Sequence, residues 1–378
     1  MRKSTYLAAA VAAAIGGSVF AAEVTLYGIV DLGLVYQSVD DDITGQDRTD
    51  SLEMKSGFQS GSRFGFKGIE QISPDLAVGF VLENGFTADD GALAMGGRLF
   101  GRESQMFVRT NLGELSAGRV GQLNSGSGTY ALTAGFSPFA TTWGQYSVTG
   151  TNFMFGYERM DNVLTYKSPT WAGLNVYAQY SFDVDTKDEL GEEGKSSANR
   201  YMALGVSQKI GGLQWAAVVD RYLYSNLISK VGTEEVDDGW SVSIGGNYNL
   251  EYLRLYFGAE YFDNGSVDFM DRIYDITDEF GHEVGSGYYE GFGIMLGATT
   301  PLAGGNAKAA LGYMTAEDVL DSEMEYDKYG VSVGYEYPFS KSLNLYSIVS
   351  YNKFKVQSAD FERKPDAVEA AVGLRYKF

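Results

Sequence analysis

The chain has 378 residues, 49 acidic against 29 basic, for a formal net charge of −20, and it carries no cysteine. That balance excludes nucleic-acid binding, which rests on clustered positive charge, and the missing thiols exclude disulfides and thiolate metal sites. With 48 glycines, 27 tyrosines, 22 phenylalanines and only 6 prolines, the composition also speaks against a disordered linker.

The first segment runs from Arg2-Lys3 through an apolar stretch, Tyr6 to Ile15, to Val19-Phe20-Ala21. A charged start, a short apolar run and small residues at the cut describe a secretory signal peptide. Cleavage after Ala21 places Val19 and Ala21 at the small-residue positions, so residues 1–21 are the expected leader and 22–378 one exported domain. Loss of Arg2 and Lys3 leaves 27 basic residues against 49 acidic, a net of −22. No later segment approaches the roughly 20 apolar residues that a membrane helix needs.

From residue 24 onward the apolar residues recur with period two, the signature of strands with one greasy and one wet face. Turn residues divide the pattern into sixteen runs, near 24–36, 62–71, 76–86, 103–111, 115–120, 162–168, 174–183, 200–208, 213–223, 239–249, 253–263, 288–299, 307–315, 327–337, 343–352 and 367–378. Leu253, Leu255, Phe257, Ala259 and Tyr261 oppose Arg254, Tyr256, Gly258, Glu260 and Phe262; Val368 to Phe378 alternates in the same way. Only a closed sheet spanning a membrane uses this pattern throughout. The expected fold is an all-β, 16-stranded antiparallel transmembrane β-barrel. Short connections such as Ser73-Pro74-Asp75 and Leu112-Gly113-Glu114 take turns with long ones near 37–61, 87–102, 121–161, 184–199, 224–238, 264–287, 316–326 and 353–366. Tight turns belong on the periplasmic side and long loops outside. Rings near strand ends, among them Tyr27, Trp171, Trp240, Tyr337 and Phe378, are expected at the membrane interface.

Ser62-Arg63-Phe64-Gly65-Phe66-Lys67-Gly68, preceded by Val24-Thr25-Leu26-Tyr27-Gly28 and followed by Leu82-Glu83-Asn84-Gly85-Phe86, resembles a general diffusion porin of Gram-negative, betaproteobacterial type. Leu99-Phe100-Gly101-Arg102, Asp161-Asn162-Val163-Leu164-Thr165-Tyr166 and the terminal Tyr376-Lys377-Phe378 extend the likeness over the whole mature chain. The resemblance implies a homotrimer in the outer membrane, a third long loop folded into the barrel, and a C-terminal signal, Tyr376 and Phe378, read by the barrel-assembly machinery. It also implies an arginine ladder opposite that loop, carried over as Arg63, Arg102 and Arg159, with Arg119 a fourth candidate.

The loop implied is 121–161, the longest connection, and a long insertion in a compact domain is more often functional than idle. Its Tyr130, Phe136, Pro138, Phe139, Trp143 and Tyr146 are expected to pack on the inner wall. Arg63 and Lys67 share a parity opposite Phe64 and Phe66, so both face water; Glu83 faces the same way and is placed to pair with an arginine. Arg102 has the parity of the lipid-facing Met106 and Val108, so either a bulge intervenes or it precedes the regular strand. Each of these charges alone fits a structural salt bridge as well as a transport role; as a group they fit a pore.

Between Glu114 and Glu158 there is no carboxylate. A constriction edged by arginines and lacking an acidic arm favours anions, since a narrow low-dielectric passage strengthens local charge. The acidic excess lies in the outer loops, Asp40-Asp41-Asp42 among them, and is screened beyond about 8 Å. Those carboxylates are solvated decoration or share divalent cations with lipopolysaccharide; Asp40-Asp41-Asp42 lacks the glycine and terminal glutamate of an EF-hand, so no dedicated metal site is expected. The single histidine, His282, sits in an acidic loop with nothing around it that would activate a serine, which argues against an enzyme. The expected function is passive diffusion of ions and small hydrophilic solutes with a weak anion preference, without cofactor. A solute-selective channel and a surface adhesin or receptor are the alternatives.

Overall fold

The computed structural model describes residues 23–154, 159–187, 191–227, 230–231, 234–266 and 285–378. The expected leader, Glu158 and His282 lie outside the described residues.

Sixteen antiparallel strands form one closed ring: β1 (Glu23–Asp40), β2 (Arg63–Ser73), β3 (Leu76–Gly85), β4 (Glu103–Thr110), β5 (Gly113–Gly121), β6 (Arg159–Lys167), β7 (Leu174–Ser181), β8 (Arg200–Ile210), β9 (Leu213–Leu223), β10 (Gly239–Asn249), β11 (Arg254–Ser266), β12 (Tyr288–Leu302), β13 (Gly305–Asp318), β14 (Glu325–Pro338), β15 (Leu343–Gln357) and β16 (Asp366–Lys377). Each pairs with its successor, and β16 returns to β1 in a register running from Ile29↔Lys377 to Asp40↔Asp366. Gly28 and Phe378 seal the seam with reciprocal backbone hydrogen bonds of 3.0 and 3.1 Å. Closure satisfies the backbone of every ring strand internally, which is what a strand needs in hydrocarbon.

The two faces separate as the alternation predicts. Leu296 and Leu311 are register partners, as are Val333 and Val349, and all four are exposed on the outside, while Ser332 and Glu260 on the opposite parity are buried. Several strands run past their expected ends at the long-loop side: β1 reaches Asp40, β13 Asp318 and β15 Gln357. In those extensions the outward positions turn polar, as at Ser38, Glu317 and Lys353, so the ladder continues beyond the apolar band.

Tyr27 is a correction to the sequence reading. It does not join the interfacial belt, because its register partner Gly65 pairs in turn with Glu83, and its hydroxyl donates to Glu83 Oε2 at 3.0 Å inside the barrel. Trp171, Trp240 and Phe378 are exposed outside.

A second difference lies in the first long connection, read as a plain loop. Its Thr49–Ser56 is a strand paired with the upper half of β1, Val39↔Thr49 to Leu32↔Ser56, whereas the lower half, Glu23 to Ile29, pairs with β2. Between them, at 57–62, the chain leaves the wall. The described part of the third long connection, 122–154, folds inward and contains a 3-10 turn, Thr133–Phe136, and a single α-helical turn, Gly150–Phe153.

Candidate functional site

The inward loop lies along the inner wall, held by polar contacts to inward-facing side chains from many strands. Asn124 Nδ2 donates to Ser241 Oγ at 3.0 Å and to Glu260 Oε1 at 3.1 Å. Farther along, Lys308 Nζ donates to the Pro138 carbonyl at 3.1 Å and the Val148 amide to Ser332 Oγ at 3.0 Å. The amides of Gln145 and Tyr146 donate to the Glu369 carboxylate at 3.3 and 3.2 Å. Lys328 Nζ closes the series on the Asn152 carbonyl at 2.8 Å, with the Phe153 ring 4.8 Å below it. A loop with only two short helical turns must place its remaining backbone polar groups somewhere, and here the wall receives many of them.

The rings named from sequence, Tyr130, Phe136, Pro138, Phe139, Trp143 and Tyr146, are all buried between loop and wall. Tyr130 also donates its hydroxyl to Glu114 Oε1 at 2.7 Å. Wall glycines make room for the loop. A Cβ at Gly245 would stand 2.6 Å from Phe136, at Gly297 2.5 Å from Pro138, and at Gly330 2.3 Å from Phe153.

Basic side chains line the wall that the loop leaves open, with Lys308, bound to the loop's Pro138 carbonyl, at its edge. Glu83 sits between two arginines, 2.7 Å from Arg102 Nε and 3.5 Å from Arg63 Nη1. Lys67 reaches over the Tyr27 ring, 5.3 Å from its centre, and stays exposed to the lumen. Arg102 precedes β4, so its parity is not that of the strand, and its amide donates to the Glu83 carbonyl at 3.2 Å. Across the seam, Glu336 bridges Lys308 and Arg375, at 3.2 and 3.1 Å. Lys377 shares the inward parity of Arg375, whose register partner is Asp31. Six cations, Arg63, Lys67, Arg102, Lys308, Arg375 and Lys377, therefore stand with four carboxylates, Asp31, Glu83, its register partner Glu103, and Glu336.

Sequence reasoning missed Lys308, Glu336, Arg375 and Lys377. Their parity showed that they face inward, but only ring closure brings β13, β14 and β16 beside β2. Arg119 goes elsewhere. Its register partner Ser104 has the parity of the exposed Met106, and its guanidinium binds the Gly101 carbonyl at 2.7 Å and Asp161 Oδ1 at 2.6 Å. Arg98 joins that cluster through Asp161 and Asp185, at 2.9 and 2.5 Å. Burial opposes the Arg98 charge, yet Asp185 and Asp161 outweigh it and raise its pKa above the usual guanidinium value. Arg159 opens β6, buried, its Nη1 3.9 Å from Met95 Sδ of the second long loop. Among the described residues, no three His, Asp or Glu side chains converge as metal ligands.

Residues 8–357 match the Gram-negative porin family. The chain belongs to that family. An outer membrane porin protein of Bordetella pertussis is 30% identical over 400 aligned residues that cover 100% of both chains. Among solved structures, the anion-selective porin from Comamonas acidovorans superposes with a TM-score of 0.67 at 22% identity, over 95% of this chain and 100% of that one. A trimer form of OmpT from Vibrio cholerae gives 0.57 at 18%, over 95% and 100%; at such identities the likeness bears on the fold. This porin is thus an outer-membrane barrel whose hydrated interior lets ions and small hydrophilic solutes diffuse passively.

Proposed function

We propose that this porin prefers anions and that the preference is set on the wall facing the inward loop. The carrying observation is the imbalance there: six cations with four carboxylates, opposite a loop that has no carboxylate between Glu114 and Glu158. Each shared carboxylate holds two cations extended without cancelling both, which leaves positive potential in a narrow passage where charge acts strongly. The acidic outer loops lie farther off and are screened within about 8 Å at physiological salt. Passage needs no cofactor; the filter is width and sign. The trimer form of the structural neighbour OmpT supports a homotrimer, with Tyr376 and Phe378 exposed at the barrel's closing strand for the assembly machinery to read.

Single-channel recording under a salt gradient tests this reading. The wild-type reversal potential should carry the sign of anion selectivity, and Arg63→Gln with Arg375→Gln should reduce it. Arg159→Gln belongs in the same series. A wild-type potential of zero, or of cationic sign, rejects the proposal.

A further inference from the structure

The break in the wall at 57–62 is an inward clasp, and it touches both sides of the constriction. Gly57, with φ at +72°, turns the chain out of the ladder, and its amide donates to the Asp31 carbonyl at 2.9 Å. Phe58 is then buried against Tyr346, ring parallel to ring at 4° with centres 6.2 Å apart.

The clasp grips the loop by its backbone. The Phe58 carbonyl accepts from the Trp143 amide at 2.7 Å, and the Gln59 carbonyl accepts from Thr142 Oγ1 at 2.5 Å. Trp143 has φ at +93°, a conformation a bulky residue adopts only when its surroundings impose it. The Phe58 carbonyl bond, the Phe139 ring 5.4 Å away and the Tyr346 ring 5.7 Å away supply that constraint. At Gly144 a Cβ would stand 2.4 Å from the Phe58 ring, so clasp and loop fit without space between them.

The same six residues also hold the cations. Ser60 Oγ accepts from Arg375 Nη1 at 2.9 Å, while the Ser60 amide donates to Asp31 Oδ2 at 2.6 Å. The Gly61 carbonyl accepts from Arg63 Nε at 3.1 Å. A Cβ on Gly61 would meet Arg102 Nη1 at 2.7 Å. One short segment therefore contacts the loop and three of the six cations facing it.

We infer that residues 57–62 are a positioning element that fixes both the aperture and the anion preference, by tying the loop at Thr142-Trp143 to Arg63, Arg102 and Arg375. This rests on the anion-selective reading above. Two constraints follow for the pore. Loosening the clasp frees the loop to withdraw from the wall, and it lets the guanidiniums swing out of the narrow section at the same time. Width and selectivity should then change together, which does not follow from losing a charge alone.

The test uses the full-length trimer in planar bilayers. Phe58→Ala should raise single-channel conductance roughly two-fold and move the reversal potential toward zero, while Phe58→Tyr, which keeps the stacked ring, should restore both. Ser60→Ala should shift the reversal potential with a smaller change in conductance, and Thr142→Val should do the reverse. Where Phe58→Ala fails to assemble, the Ser60 and Thr142 variants carry the test, since each removes only a side-chain hydrogen bond. Assembled variants with wild-type conductance and reversal potential overturn the inference and leave the porin reading intact. A wild-type channel without anion preference would instead reject that reading, with the aperture half of the inference still measurable as conductance.

Discussion

At the scale of single residues, Glu83 shows how a carboxylate can serve an anion-preferring wall. It accepts from Arg102 Nε and the Tyr27 hydroxyl and lies within ion-pair distance of Arg63. Glu83→Gln should enlarge the anionic reversal potential, because one negative charge leaves a site holding two guanidiniums. It should also cost on the order of 1–3 kcal/mol of stability, since charge-assisted bonds are lost and two like charges face each other unshielded; thermal unfolding measures this directly. The pair was legible in the sequence because β2 and β3 are joined by a tight turn, so parity and spacing together bring Arg63 and Glu83 onto one face. Lys308, Glu336 and Arg375 were not legible as partners. Parity gives a side chain's face but not its height, and height across a closed ring depends on a register that no local pattern records. Arg119 fails for another reason: the register shifts between Gly118 and Val120, Gly118 has φ at +137°, and at such a bulge the simple alternation stops being a guide.

At the scale of elements, the inward loop is stable because ring and glycine are matched. Phe153 is fully buried, with Gly312 and Gly330 beneath it and Lys328 over it. Phe153→Ala empties that site at about 3–5 kcal/mol by analogy with buried aromatic truncations. The expected readout is local: noisier open-channel current and faster protease cleavage within the loop, with β content by circular dichroism unchanged. Quiet current and a protease-resistant loop would show that the polar anchors suffice. The rings were visible in the sequence, and their burial follows from a lumen wall that offers both apolar surface and donors. Their seats were not visible, since a glycine in a strand reads equally as a turn, a bulge or a close approach. The strand Thr49–Ser56 was within reach of the same alternation, as Asp50, Leu52 and Met54 oppose Ser51, Glu53 and Lys55. Its polar composition hid it inside a loop.

At the scale of the whole molecule, the clasp has an external cost that points to assembly. Because the chain leaves the wall at 57–62, Thr49–Ser56 pairs with β1 on one side only; among the described residues no backbone hydrogen bond reaches its other edge. Leu52 and Met54 point outward there, exposed like their register partners Tyr36 and Leu34, and Leu93 and Leu99 of the neighbouring loop are exposed as well. Tyr36 lies eight residues along β1 from Gly28, where Phe378 marks the periplasmic end. At about 3.3 Å per residue and a tilt of 35–45°, that is roughly 20 Å higher, within an apolar band about 25 Å tall. An open ladder edge does not face hydrocarbon, so protein must cover it. In a homotrimer the cover is a neighbouring copy, and this sector of the wall becomes part of the seam. Cysteines placed at Leu52 or Met54 should then react slowly with lipid-phase maleimides in the assembled trimer, whereas one at Leu311, on β13 four strands round the ring from β1, should react fast. Leu52→Asp should lower the temperature at which the trimer dissociates on a seminative gel, while Leu311→Ala should leave it near wild type. Equal labelling at both positions, or a dissociation temperature indifferent to Leu52→Asp, would place the seam elsewhere and leave the open edge to be covered by another envelope protein.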